Sequence, residues 1–528
     1  MSPRSSSIDS RPCSPGADPP IGTPGGCLIG SVVQDWRRHG TPAGEPTGRA
    51  GQNREGAHMS ATPHSSAPDT YDVVVLGGGS GGYACALRAA QLGRRVALVE
   101  SAKLGGTCLH WGCIPTKALL HAAELADAPR EAARVGVRIS SEGVDLDAVH
   151  AFKDGVITRL HRGLTGLIAG AGITVVAGTG RLRDARTVVV SPAEQGAPER
   201  VLTGEYIVLA TGSQPRTLPA VPIGGPVMTS DEALQLAHLP QRAVVLGGGV
   251  IGVEFASLLT SFGVAVTVVE ALPRLVPTED EAISKALTRA FGKRGIEVRT
   301  GTMVSAVEPR DDGVRVLLDQ GDPIETDLLL VAVGRGPRTV GLGYEEAGVR
   351  LDRGFVVTDE RCRTSVPGVY AVGDIVPGLQ LAHRGFAQGA FVAEDLAGLD
   401  PIPLDERTIP RVTYCEPEIA SVGLTEEAAR AAYPDVTVHE YNLGGNGRSL
   451  ILGTTGFVKV VARGDGPVVG IHMLGSRIGE QIGEAQLIVG WEATPADVAG
   501  LVHAHPTQNE ALGEAHLALA GKPLHSHA

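Results

Sequence analysis

The sequence predicts an α/β protein with two Rossmann-like dinucleotide-binding units, and three observations carry that prediction. A glycine-rich unit occurs twice, over residues 71–100 and 242–270. Each copy runs from an apolar stretch through a G-x-G-x-x-G turn into a helix-period segment, then a second apolar stretch ending in glutamate. Further apolar runs, 207–213 (IVLATGS), 328–335 (LLLVAVGR) and 369–375 (VYAVGDI), reach glycine as parallel strands do beside a ligand. Finally, 528 residues, 43% apolar and 20% charged, suffice for more than one core, about three or four domains.

At the N-terminus, residues 1–58 (MSPRSSSIDSRPCSPGADPP…) are rich in Pro, Gly, Ser and Arg. Such a segment cannot bury enough apolar surface to fold, and it reads as a disordered extension counted to residue 70. It lacks the apolar core of a signal peptide, and its acids and prolines count against a transit helix. Met59 begins a plausible shorter product, so the alternative reading is an artefact of the start site. Cys13 and Cys27 receive no role. The formal charge of −12, without a basic run, argues against nucleic acid. Seven cysteines are too few for a secreted disulfide framework. The stretch 243–269 is long and apolar enough to be mistaken for a membrane span. Its glycine cluster and β-branched ends fit strand, turn, helix and strand better, so no membrane partner is expected. A soluble, cytoplasmic protein is the expectation.

Each position of the repeated unit has a physical task. The first glycine (Gly77, Gly247) makes the tight turn, and the second (Gly79, Gly249) lets a pyrophosphate approach the backbone. The third (Gly82, Gly252) lets helix and strand pack closely. The anion then lies at the helix N-terminus, and the terminal glutamate, Glu100 or Glu270, accepts from the adenosine ribose hydroxyls. A lone motif would be weak; two copies with the acid at the same distance predict two bound dinucleotides. Glu270 would repel a 2′-phosphate, so the second site reads as NAD rather than NADP, although Arg274 is nearby.

Between the two units lies GGTCLHWGCIPTK, residues 105–117, with Cys108 and Cys113 five positions apart. No second Cys or His pair completes a structural zinc site, and no metal is expected. Two unrelated buried thiols are one reading. The other is a redox pair, because intracellular disulfides are usually transient and catalytic. Five residues of helix rise about 7.5 Å, beyond the reach of a disulfide of about 7 Å. A bridge therefore needs an irregular turn, for which Gly112 gives room, and Pro115 suits the first turn of a following helix. A thiolate there would have a lowered pKa.

Near the C-terminus, LVHAHPTQNEALGE (501–514) admits two readings. Thr507 and Glu510 match a capping box for a helix running toward Leu519, with His505 a surface histidine before Pro506. Alternatively, His505 is a base oriented by Glu510. Asp374, in the run YAVGDI, reads either as a turn aspartate or as a ligand contact.

The order of dinucleotide unit, C-x-x-x-x-C, second dinucleotide unit, G-D and H-P-T-x-x-E resembles the flavoprotein disulfide reductases, class I of the pyridine nucleotide-disulfide oxidoreductases. The resemblance covers roughly 71–528, is carried by GGTCLHWGCIPTK, GGGVIGVE, YAVGDI and HAHPTQNEALGEA, and is nearest to the branch acting on dihydrolipoamide. It implies an FAD-binding domain over 71–214, an NAD-binding domain over 215–339, a central domain over 340–408 and an α+β dimerisation domain over 409–528. It places FAD at the first unit, with Lys117, Thr211, Gly212, Asp374 and Ala382 joining the glycines and Glu100. NAD falls at the second unit, with Gly334. It makes Cys113 the flavin-side sulfur, able to give a charge-transfer state, and Cys108 the sulfur that exchanges with substrate. His505, oriented by Glu510, would act across a homodimer. Lys117 would pair with Glu254, and independently, a carboxylate among Ile251, Val253, Phe255 and Leu258 needs a partner. The implied reaction is oxidation of protein-bound dihydrolipoamide with NAD, with lipoyl-bearing proteins of 2-oxoacid dehydrogenase or glycine cleavage complexes as partners.

Two rivals remain. One is an NADPH-dependent reductase of a small disulfide such as glutathione or mycothiol disulfide, against which Glu270 counts. The other is a non-catalytic subunit, which would not need Cys108, Cys113, Lys117, Glu254, His505 and Glu510 together. Mercuric reductase is disfavoured because no cysteine pair ends the chain. Trp111 and Asn509 receive no role, and Cys85, Cys362 and Cys415 read as core residues.

Overall fold

In the computed structural model, which describes residues 69–192, 194, 196–310 and 312–525, the first glycine unit folds as β1 (Asp69–Leu76), α1 (Ser80–Gln91) and β2 (Val96–Glu100). The expectations for residues 1–58, with Cys13 and Cys27, lie outside the described residues. β1 opens at Asp69, ahead of the boundary expected at residue 71, because Asp69 and Thr70 pair with Leu202 and Thr203. Those two polar residues extend the ladder without any apolar signal. Gly77 turns the chain at φ +103°, and a Cβ on Gly82 would lie 1.8 Å from the Gly77 carbonyl oxygen.

The chain continues through α2 (Gly106–His110), α3 (Cys113–Arg134) and α4 (Leu146–Gly170). It returns to the sheet as β3 (Thr174–Ala177), β4 (Thr179–Asp184), β5 (Thr187–Ser191) and β6 (Arg200–Leu209). The sheet order is β3-β2-β1-β6-β5-β4, with the late strand Val369–Ala371 also parallel to β6. Buried on both faces, β1, β2 and the end of β6 are runs of Val, Leu, Ile and Ala.

A two-stranded ribbon marks each passage between the halves: β7 (Ser213–Pro215) pairs with a strand at Arg335–Pro337. Between them, β8 (Val227–Thr229) and α5 (Ser230–Ala233) precede the second glycine unit. That unit is β9 (Arg242–Leu246), α6 (Val250–Ser261) and β10 (Ala265–Glu270), so the stretch 243–269 is strand, turn, helix and strand. With α7 (Glu281–Lys293), β11 (Glu297–Thr300) and the strand Leu328–Val331, it forms a parallel five-stranded sheet. Among the described residues no helix is long and apolar enough to cross a membrane.

The C-terminal part is an antiparallel five-stranded sheet over residues 411–475, covered by the helices Ile482–Gly490 and Glu510–Leu519. Its register sets Arg411, Ser421, His472 and Lys459 in one row across four strands. That row meets the start of α7: Arg411 pairs with Glu279 at 2.9 Å and Lys459 with Asp280 at 2.7 Å.

Candidate active site

Cys108 lies in α2 and Cys113 is the first residue of α3. Trp111 and Gly112 break the helix between them, and a Cβ on Gly112 would crowd the Thr107 carbonyl oxygen at 3.1 Å. Pro115 falls in the first turn of α3, where a missing N–H costs nothing. Both cysteines are free, half-buried thiols in hydrogen-bonding contact. That contact, then burial, pushes the Cys108 pKa up. Cys113, accepting the same bond, is pulled below the ordinary thiol value despite burial, with help from Lys117. These opposite shifts favour the thiolate at Cys113, which stands at a helix N-terminus, and the proton at Cys108.

Lys117 stands one turn further along α3, and its Nζ donates to both Glu254 oxygens at 2.8 Å. Glu254, in α6, is 4% exposed. Its Oε1 also accepts from the Tyr414 N–H at 2.9 Å, and the Tyr414 ring lies 4.9 Å from Lys117 Nζ. Burial opposes the Lys117 charge, but Glu254 outweighs it and raises the pKa. A cationic pair-former thus sits beside the Cys113 thiolate. Cys415, next to Tyr414, and Cys85 and Cys362 are buried free thiols.

The two glycine units are built alike. Glu100 accepts from the Gly78 N–H and the Ala102 N–H, both at 2.7 Å. Glu270 accepts from the Gly248 N–H at 2.6 Å and the Leu272 N–H at 2.7 Å. The remaining lone pairs of each carboxylate are free for a ribose. Around Gly249 nothing lies within 4 Å of a would-be Cβ, and around Gly79 only Gly106 does, so each cradle has room for a pyrophosphate. Arg274 donates to the Pro277 carbonyl, which ties it into its own loop.

A cavity of about 420 Å³ opens over the first unit, lined by Gly77, Gly79, Glu100, Thr211, Gly212 and Trp111 among others. Asp374 lies in a single 3₁₀ turn at Gly373–Ile375 and accepts from Ser213 Oγ at 2.6 Å. Arg335 donates to the same Ser213 Oγ at 2.8 Å. Ala382 opens the helix Ala382–Leu396, which packs on α1. Gly334 has φ +103° at the end of the strand Leu328–Val331. Ser213, Arg335 and Tyr414 were not singled out from the sequence. The first two adjoin Gly212 and Gly334, which was the available signal; Tyr414 acts through its backbone and left none.

His505 Nδ1 is 2.8 Å from Glu510 Oε1, and the imidazole is 79% exposed. Burial raises the Glu510 pKa, but the Thr507 N–H and His505 outweigh it, so the carboxyl is held below its usual range. Of the capping box expected from Thr507 and Glu510, only half forms. Glu510 accepts from the Thr507 N–H at 2.7 Å, whereas Thr507 Oγ1 donates to the Ala504 carbonyl instead of accepting from the helix. The helix accordingly starts at Glu510, and that carboxylate serves the loop and His505 together.

The family model for pyridine nucleotide-disulphide oxidoreductases matches residues 71–389, and the model for their dimerisation domain matches 409–516. The chain belongs to this family. A Bacillus subtilis protein named dihydrolipoyl dehydrogenase is 41% identical over 469 residues, covering 86% of this chain and 99% of the relative. A Thermus scotoductus protein of the same name is 41% identical over 465 residues, with the same coverages. Among solved structures, LpdA of Mycobacterium tuberculosis superposes with TM-score 0.79 at 28% identity, covering 85% of this chain and 99% of that one. The HOCl-induced flavoprotein disulfide reductase RclA of Escherichia coli, as a Cu(II) complex, gives 0.77 at 27% identity, with the same coverages. As a pyridine nucleotide-disulphide oxidoreductase the chain uses FAD and NAD, and the two glycine cradles fit them.

Proposed function

We propose that the chain is a dihydrolipoyl dehydrogenase, oxidising protein-bound dihydrolipoamide with reduction of NAD. The observation that carries this reading is the meeting of two free thiols, Cys108 and Cys113, across the break between α2 and α3, beside the Lys117–Glu254 ion pair. In the oxidised enzyme these sulfurs form a disulfide. His505, oriented by Glu510 and supplied by the second subunit of a homodimer, takes a proton from one substrate thiol. The substrate thiolate attacks Cys108 Sγ, breaking the disulfide and expelling Cys113 as a thiolate that Lys117 stabilises. The second substrate sulfur then displaces Cys108, closing the lipoamide ring. Of the two protons released, one stays on Cys108 and the other leaves through His505. FAD held at the first glycine unit would supply the two-electron redox chemistry that links this dithiol to NAD.

In this reading Gly77, Gly79, Gly82, Glu100, Thr211, Gly212, Asp374 and Ala382 hold FAD, and Gly247, Gly249, Gly252, Glu270 and Gly334 hold NAD. The domains divide as 71–214, 215–339, 340–408 and 409–528, with the lipoyl-bearing proteins of 2-oxoacid dehydrogenase or glycine cleavage complexes as cytoplasmic partners. Steady-state turnover tests it. Dihydrolipoamide with NAD is expected to be the efficient pair. Faster reduction of glutathione or mycothiol disulfide with NADPH would overturn the reading.

A further inference from the structure

The loop that carries His505 is gripped from beneath by a carboxylate that the mechanism does not use. Glu484 lies in the first turn of the helix Ile482–Gly490. Its Oε1 accepts from His503 Nε2 at 2.7 Å, and its Oε2 accepts from Asn509 Nδ2 at 2.6 Å. One carboxylate therefore holds both ends of the segment 503–509, and its second anchor adjoins Glu510. His503 is seated inside, 12% exposed, and so close to the helix Glu510–Leu519 that a Cβ on Gly513 would lie 2.6 Å from its Nδ1. Between the anchors, Gln508 donates to the Ser476 carbonyl, and the Thr507 carbonyl accepts from Asn446. The His505 imidazole projects from this held segment with Glu510 as its side-chain partner. The Glu484 bond raises the His503 pKa, although burial opposes it, so the lower contact has ion-pair character.

We propose that Glu484 is a positioning residue for His505, fixing both ends of the 503–509 loop so that the imidazole meets the substrate thiol. The inference rests on the function proposed above. A base displaced by about 1 Å can lose on the order of a hundredfold in rate, so the grip matters kinetically.

The test uses full-length, FAD-loaded protein. Glu484→Ala is expected to lower dihydrolipoamide turnover by about tenfold or more. Its NADH–ferricyanide activity, which needs no thiol base, should stay at the wild-type rate. Amide exchange over 503–510 should quicken. Glu484→Gln can keep both hydrogen bonds once the Asn509 amide turns over, and it should remain within about threefold of wild type. Wild-type turnover or unchanged exchange in Glu484→Ala would overturn the proposal, as would an equal loss in Glu484→Gln. Should Glu484→Ala fail to fold, Asn509→Ala releases one end, and unaltered turnover and exchange there are equally fatal. A wild type inert toward dihydrolipoamide would sink the function while the exchange comparison still judges the grip.

Discussion

Lys117 and Glu254 form one ion pair but are not equally dependent on it. The lysine is 33% exposed and rests against Tyr414, so water and the ring can support its charge without Glu254. The glutamate, 4% exposed, would keep only the Tyr414 N–H if Lys117 were removed. Lys117→Met should therefore cost about 3 kcal/mol of stability, and Glu254→Gln clearly less. Denaturant midpoints of the two variants measure the asymmetry, and equal losses would contradict it. This pairing was legible because Glu254 stands among apolar neighbours on a helix, a setting that demands a partner. The Tyr414 contribution was not, since a backbone N–H 160 positions away has no residue-type signature. The same limit hid Glu484, an ordinary helix glutamate until the fold sets His503 and Asn509 against it.

At the scale of elements, the two glycine units are the same device used for two ligands, so equivalent substitutions should separate their functions. A Cβ on Gly82 would lie 1.8 Å from the Gly77 carbonyl oxygen, and one on Gly252 would lie 1.9 Å from that of Gly247. Either must push its helix away from its strand. Gly82→Ala should lose flavin, read from visible absorbance. Gly252→Ala should keep flavin while weakening NADH binding by about tenfold or more, read by titration. Loss of flavin in both would contradict the independence of the units. These elements were readable because turn, helix and acid lie within thirty residues and each position answers a local steric need. The start of the last helix was misjudged because the Thr507 hydroxyl had a competing acceptor in Ala504. The joining of Val369–Ala371 to the first sheet depends on pairing with residues 162 positions earlier in the chain, and only its apolar run was visible beforehand.

For the molecule as a whole, buried histidine couples stability to pH. His516 is fully buried; its Nδ1–H donates to the Leu512 carbonyl, and burial drives its pKa down to about 4. An unfolded histidine titrates near 6.5. The folded state thus binds fewer protons between those values, and stability is full above about pH 6.5 and declines as pH falls toward about 4. The loss is on the order of 3 kcal/mol. His516→Gln should flatten that slope in thermal melts taken between pH 7 and 4. An unchanged slope would show that the histidine does not titrate with unfolding. A second whole-molecule feature is the row in which Arg411 and Lys459 meet Glu279 and Asp280. Those acids immediately precede α7 of the nucleotide half, while the cations belong to the sheet whose covering helices flank the His505 loop. With both acids 2% exposed, these buried pairs tie the nucleotide half to the C-terminal sheet, and removing either cation alone would leave a buried carboxylate uncompensated. A swing of one part against the other would have to break both pairs at once. The sheet beside the His505 loop is thereby moored to the second glycine unit by two charges on each side.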